Sequence, residues 1–101
     1  MIAREGERMV VSGAVTLAGV AALLEQGRAQ ILDGARVVDL AGVTELDSSA
    51  LAMLLAWLRE ARSRNRELAF TGFPEGLAAI ARLYGVDGLL AVAQPETATH
   101  H

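Results

Sequence analysis

"VVDLAGVTELDSSALAMLLAWLREARSR", residues 37–64, changes from a strand pattern to a helix pattern within a dozen residues. With Arg36 its first part reads "RVVDL". That run is too short for a helix and apolar at consecutive positions, as in a strand buried on both faces. From residue 48 to residue 63 the period is helical. At about 100° per residue, Leu51, Leu54, Leu55, Leu58 and Ala61 fall within one arc, which predicts a helix with that arc on a core. Arg59, Arg62 and Arg64 crowd its C-terminal end, where cations complement the helix dipole. Glu45, Asp47, Ser48 and Ser49 stand between the two patterns.

The flanks extend the alternation. "RMVVSGAVTL", residues 8–17, has β-branched residues on both sides of Ser12-Gly13 and predicts two short strands joined by a tight turn. From Leu17 to about Leu32, the residues Val20, Leu23, Leu24, Ile31 and Leu32 recur at helical spacing, interrupted by Gly27 and stopped by Gly34. "ELAFTGF", residues 67–73, predicts a further strand. Pro74 then suits the first turn of a third helix, with Leu77, Ile80, Ala81 and Tyr84 as its inward stripe and Gly85 at its end. "VDGLLAV" is expected to add a short turn that packs back on the domain, and the tail from Gln94 is polar. The order β-β-α-β-α-β-α predicts the α/β class, with helices packed against a single mixed β-sheet. One domain is expected over residues 1–101, with its core at about 8–92 and a polar tail at 94–101.

Composition restricts the chemistry. A hydrophobic fraction of 52% suits a folded domain, and no apolar run approaches the roughly 20 residues that span a bilayer. The N-terminal "MIAREGERMVV" lacks the apolar run and small-residue cleavage site of a signal peptide, and there is no cysteine, so a cytoplasmic location is expected. A net charge of −3 supplies no attraction for nucleic acid. All nine basic residues are arginine, which removes any P-loop or Schiff-base lysine. The two histidines, His100 and His101, end the polar tail. A serine–histidine nucleophile inside the fold is therefore excluded, and neither a metal nor another cofactor is expected. The chain reads as a protein that is not an enzyme.

Asp47-Ser48-Ser49 admits two readings. Four amides at a helix start lack intrahelical partners, and an aspartate or serine side chain accepts from one or two of them, worth about 1 kcal/mol. One cap does not need both hydroxyls. In the functional reading, Asp39 lies near the C-terminal edge of its strand, and the loop "AGVTEL" brings Thr44, Glu45 and Asp47 to the same edge. A serine at a helix N-terminus is then open to a phosphate that meets free amides, provided the kinase and base come from a partner. From Ala50 to Leu58 no residue is polar, and Met53, Ala56 and Trp57 fall outside the leucine arc. Either they tuck under neighbouring loops or they form an exposed apolar patch ending in the only tryptophan; the patch is the favoured reading, a partner-binding signature on the helix that also carries Ser48.

The same segment resembles the STAS domains, the family named for sulfate transporters and anti-sigma factor antagonists. The resemblance rests on Asp39, the eight-residue step to Asp47, then Ser48, Ser49 and Leu51, and the element order extends it over residues 8–92. It implies a STAS-type fold and singles out Ser48 over Ser49 as the hydroxyl that antagonists phosphorylate. Ala50 stands where many antagonists have glycine. "LAAIARLYGVDGLL", residues 77–90, with Leu83-Tyr84-Gly85, is most similar to the MlaB-like branch, the small STAS subunits of the Mla phospholipid-transport system. That likeness implies a cytoplasmic subunit, peripheral to the inner membrane and not inserted in it. It would bind the ATPase subunit (MlaF-like) of an ABC transporter that maintains outer-membrane lipid asymmetry. The expected contact residues are Asp39, Thr44, Asp47, Ser48, Ser49, Met53 and Trp57. The alternative is an anti-sigma factor antagonist whose partner is an anti-sigma factor kinase. The run "RSRNRE" is expected to be a solvated helix end.

Overall fold

The first hairpin turns earlier than Ser12-Gly13. A strand β1 (Ile2–Glu5) pairs antiparallel with β2 (Arg8–Val15), and Glu5 faces Arg8 across the two-residue turn Gly6-Glu7. Gly6 has φ 62°, which a two-residue hairpin turn of the II′ type demands at its first central position. The predicted turn at Ser12-Gly13 is instead part of β2, which runs unbroken to Val15. Gly13 has φ 83° because the ladder to the next strand slips there, between Gly13 and Ala14. This computed structural model describes residues 1–86 and 88–90. The polar tail expected at 94–101 lies outside the described residues, as do Asp87, Ala91 and Val92 of "VDGLLAV" and Ala93.

The remaining elements follow as α1 (Val20–Leu32), β3 (Val37–Leu46), α2 (Ser48–Ser63), β4 (Ala69–Thr71) and α3 (Glu75–Leu83). The order β-β-α-β-α-β-α is the predicted one, although both predicted first strands fell within what is β2. Four strands make one mixed sheet, β1-β2-β3-β4, antiparallel at β1/β2 and parallel at β2/β3 and β3/β4. Met9, Val38 and Phe70 pair across the sheet, and all three are buried on its helix side. Val10, Asp39 and Thr71 pair on the other side, and none of them is fully buried. Sheet and helices share one core of buried residues from β2, β3, β4, α1, α2 and α3.

β3 is twice the length that "RVVDL" gave it. It continues through Ala41-Gly42 with an irregular ladder, since Val10 faces Asp39 while Ser12 faces Gly42. Thr44 is a second extra residue, because Gly13 faces Val43 and Ala14 faces Glu45. The fourth predicted strand shrinks instead, to Ala69–Thr71. α1 starts at Val20, after a turn in which Gly19 N donates to Thr16 O.

The central helix corrects the exposed-patch expectation. Met53 is 2% exposed and Trp57 0%, so both belong to the core and not to a docking surface. α2 packs against α1 on one flank and α3 on the other, so its buried arc is wider than that of a helix with one covered side. Gly27 of α1 makes the room for Trp57. A Cβ placed on Gly27 would lie 2.1 Å from Trp57 Cζ2, and the indole Nε1 donates to Leu24 O at 3.0 Å. The glycine that looked like an interruption is a helix–helix contact point. Tyr84, predicted to face inward, follows the last turn of α3 and is 61% exposed. In "RSRNRE", Arg66 does more than solvate a helix end: it donates to Ile31 O and Leu32 O and so caps the C-terminus of α1.

Candidate functional site

β2, β3 and β4 run parallel, and each is followed by a helix, so the N-termini of α1, α2 and α3 come to the same edge of the sheet. The segment joining β3 to α2 is one residue long, Asp47, which makes the turn as an extended N-cap with φ −138° and ψ −169°. Its carboxylate is spent on three donors. Oδ1 accepts from Ser49 N at 2.9 Å and from the Ser49 hydroxyl, while Oδ2 accepts from Leu17 N at 3.0 Å. Asp47 N in turn donates to Val15 O. The side chain therefore caps α2 and also ties the β2–α1 turn to that cap. These bonds hold the Asp47 carboxyl below the ordinary aspartate range, with the Ser49 hydroxyl the largest cause, then the Leu17 and Ser49 amides, against a smaller opposing effect of burial.

The two serines are not equivalent. Ser49 is half-buried and its hydroxyl is engaged by Asp47. Ser48, the first residue of α2, is exposed, and its hydroxyl has no hydrogen-bond partner among the described residues. It lies on the exposed stripe of α2 with Ala52 and Arg59.

The other predicted contact residues are scattered. Thr44 is exposed at its bulge, two residues before β3 ends. Asp39 is not at the C-terminal edge of its strand. Seven more residues of β3 follow it, which at strand rise is roughly 20 Å. Its carboxylate accepts from Ala41 N at 2.9 Å and pairs with Arg8 at 3.4 Å on the helix-free face of the sheet. Asp39 thus holds the start of the first bulge. Met53 and Trp57 lie inside. The edge itself brings together Asp47, Ser48 and Ser49, with Thr44 close in sequence.

One residue at this edge was not among the predicted contact residues. Leu17 lies in the β2–α1 turn, its amide held by Asp47, and its side chain is 77% exposed. The signal available was an apolar residue between Thr16 and Gly19, which helical periodicity absorbed into α1. Among the described residues no three His, Cys, Asp or Glu side chains converge to hold a metal ion, and no helix is long and apolar enough to cross a membrane.

Comparison with known proteins adds the relationship. A family model described as "Mlab, STAS domain" matches residues 1–91. Among solved structures, the anti-sigma factor antagonist SpoIIAA in its unphosphorylated form superposes with a TM-score of 0.67 at 13% identity, covering 87% of this chain and 82% of that one. A structure described as Mglu matches with a TM-score of 0.55 at 23% identity, over 74% of this chain and 19% of that one. At these identities the two structures are evidence of fold alone. No curated protein matches the sequence. With the fold shared with SpoIIAA and a family match over nine-tenths of its length, the chain belongs to the STAS-domain family.

Proposed function

We propose that the chain is a non-enzymatic, MlaB-like STAS subunit that binds and stabilises or regulates the ATPase subunit of an ABC phospholipid transporter. The observation that carries this reading is the family match over residues 1–91, whose description names the MlaB type. The site supports a contact role. Ser48 is an exposed hydroxyl on a rigid helix start, and its neighbours Asp47 and Ser49 are committed to holding that start in place. The absence of lysine and of any histidine before residue 100 supports a binding role over a catalytic one. In this reading the protein is cytoplasmic and peripheral to the inner membrane, held there by its complex, which maintains outer-membrane lipid asymmetry.

Co-expression with the transporter ATPase tests it. The wild-type chain is expected to co-purify with the ATPase. Ser48→Glu, which puts a bulky charge on the exposed start of α2, is expected to be lost from the complex while keeping its circular dichroism and melting temperature. Normal co-purification of Ser48→Glu would show that the contact site lies elsewhere.

The unengaged Ser48 hydroxyl also favours a second reading, an anti-sigma factor antagonist switched by phosphorylation. There an anti-sigma factor kinase with ATP adds one phosphate at Ser48, read as a single mass increment that Ser48→Ala abolishes. Asp47 is held ionised beside it, so the added charge would be repelled by the carboxylate as well as attracted by the helix N-terminus. Release of the partner then follows from like-charge cost.

A further inference from the structure

Charge is distributed unevenly between the two ends of the molecule. The edge that carries the helix N-termini bears Glu45, Asp47 and Glu75, at the end of β3, the cap of α2 and the first turn of α3. None of the nine arginines is there. Arg8 and Arg36 stand where β2 and β3 begin, Arg4 pairs with Met9 near the start of β2, and the other six lie in the C-terminal halves of α1, α2 and α3 or just after α2. Each helix N-terminus contributes a positive partial charge of roughly half a unit close to the backbone. Asp47 answers that charge at α2, whereas Glu45 and Glu75 are exposed carboxylates with no ion pair among the described residues. No arginine lies at this edge to screen them.

Leu17 stands on the same edge, and its exposure is built in. The Asp47 carboxylate that caps α2 also holds the Leu17 amide, which fixes the turn beside Ser48 with the leucine outward. A large apolar side chain held in solvent by a hydrogen-bonded turn, with exposed acids on the same edge, is the form of an anchor that enters a partner's pocket. We infer that Leu17 is the apolar anchor of the Ser48 edge, and that the surface it docks on is a protein face with an apolar pocket flanked by arginine or lysine. Glu45 and Glu75 meet the cations of that face, and Ser48 shares the edge with them and with the anchor. Asp47 is a positioning residue that keeps the anchor and the helix start in register.

This inference rests on the proposed ATPase partnership and deepens it. The purified ATPase subunit is the probe, with affinity measured calorimetrically at low and moderate salt. Leu17→Ser, at an exposed position, is expected to weaken binding about tenfold or more. That corresponds to about 1.4 kcal/mol, close to the lower end of the roughly 1.5–3 kcal/mol for burying a leucine side chain. The double variant Glu45→Arg with Glu75→Arg is expected to weaken binding at least fivefold at low salt, and wild-type affinity is expected to fall as salt rises. Leu83→Ser, at an equally exposed leucine on the far end of α3, serves as the control and leaves affinity unchanged. Wild-type binding that both the Leu17 and the double-acid variants leave within twofold overturns the inference while the ATPase partnership stands. Failure of the wild-type chain to bind overturns the partnership and the inference with it.

Discussion

At the scale of single residues, Asp47 carries the argument, because one carboxylate serves as the cap of α2 and as the tether of the β2–α1 turn. Its role as a helix cap was legible in the sequence, where an acid precedes two serines and a leucine-rich helix. The tether was not, since Leu17 lies 30 residues away and only the parallel pairing of β2 with β3 brings it near. The pH dependence follows from the depressed folded-state pKa. The Asp47 bonds stabilise the fold above the ordinary aspartate value of 3.8, and that contribution is lost as pH falls through the lower folded-state value. Asp47→Asn is therefore expected to melt a few degrees below wild type at neutral pH. The gap should narrow as the pH of the melt is taken below about 4, towards full protonation of the wild-type carboxyl. A gap that stayed constant with pH would show that the ionised carboxylate is not what holds the turn. The serine distinction belongs to this scale too: the family resemblance preferred Ser48, and the geometry gives a separate reason, since Ser49 is occupied by Asp47.

At the scale of elements, α2 was the most legible and its surroundings the least. Its bounds, residues 48–63, are those that capping and periodicity predicted. Its buried face was underestimated because a helical wheel assumes one covered side, and α2 is flanked by α1 and α3. Met53 and Trp57 were consequently read as surface. β1 escaped notice because four residues, Ile-Ala-Arg-Glu, carry only one strong β-former and end in charges. β3 was cut short because Ala41-Gly42 reads as a break, whereas in the sheet it is a bulge. The Gly27–Trp57 contact gives two expectations. Gly27→Ala raises intrinsic helix propensity by about 1 kcal/mol, yet its Cβ would overlap the Trp57 ring. Overpacking of this kind costs about 1–3 kcal/mol, and here the wall is a rigid indole, so urea unfolding is expected to show net destabilisation. A Gly27→Ala protein more stable than wild type would mean that the helices are farther apart. Trp57, the only tryptophan, is expected to emit at short wavelength in the folded protein, to resist aqueous quenchers, and to shift red in a single unfolding transition.

At the scale of the whole molecule, two parallel crossovers and the helix after β4 gather the helix N-termini, the acids Glu45, Asp47 and Glu75, the Ser48 hydroxyl and the exposed Leu17 at one end. The fold class and the location of the site were readable from the alternation of elements and from the residues joining β3 to α2. The polarity of the molecule was not, because it depends on which ends of the elements coincide. Hydrogen–deuterium exchange of the chain alone and in complex with its ATPase tests the central claim, that this end is the docking surface, without altering any residue. Slowed exchange is predicted at residues 16–20 and 47–52, with no change at the C-terminal end of α3 around residues 80–85. Protection confined to the end of α3 or to β1 and β2, with residues 16–20 and 47–52 exchanging as in the free chain, would contradict the account.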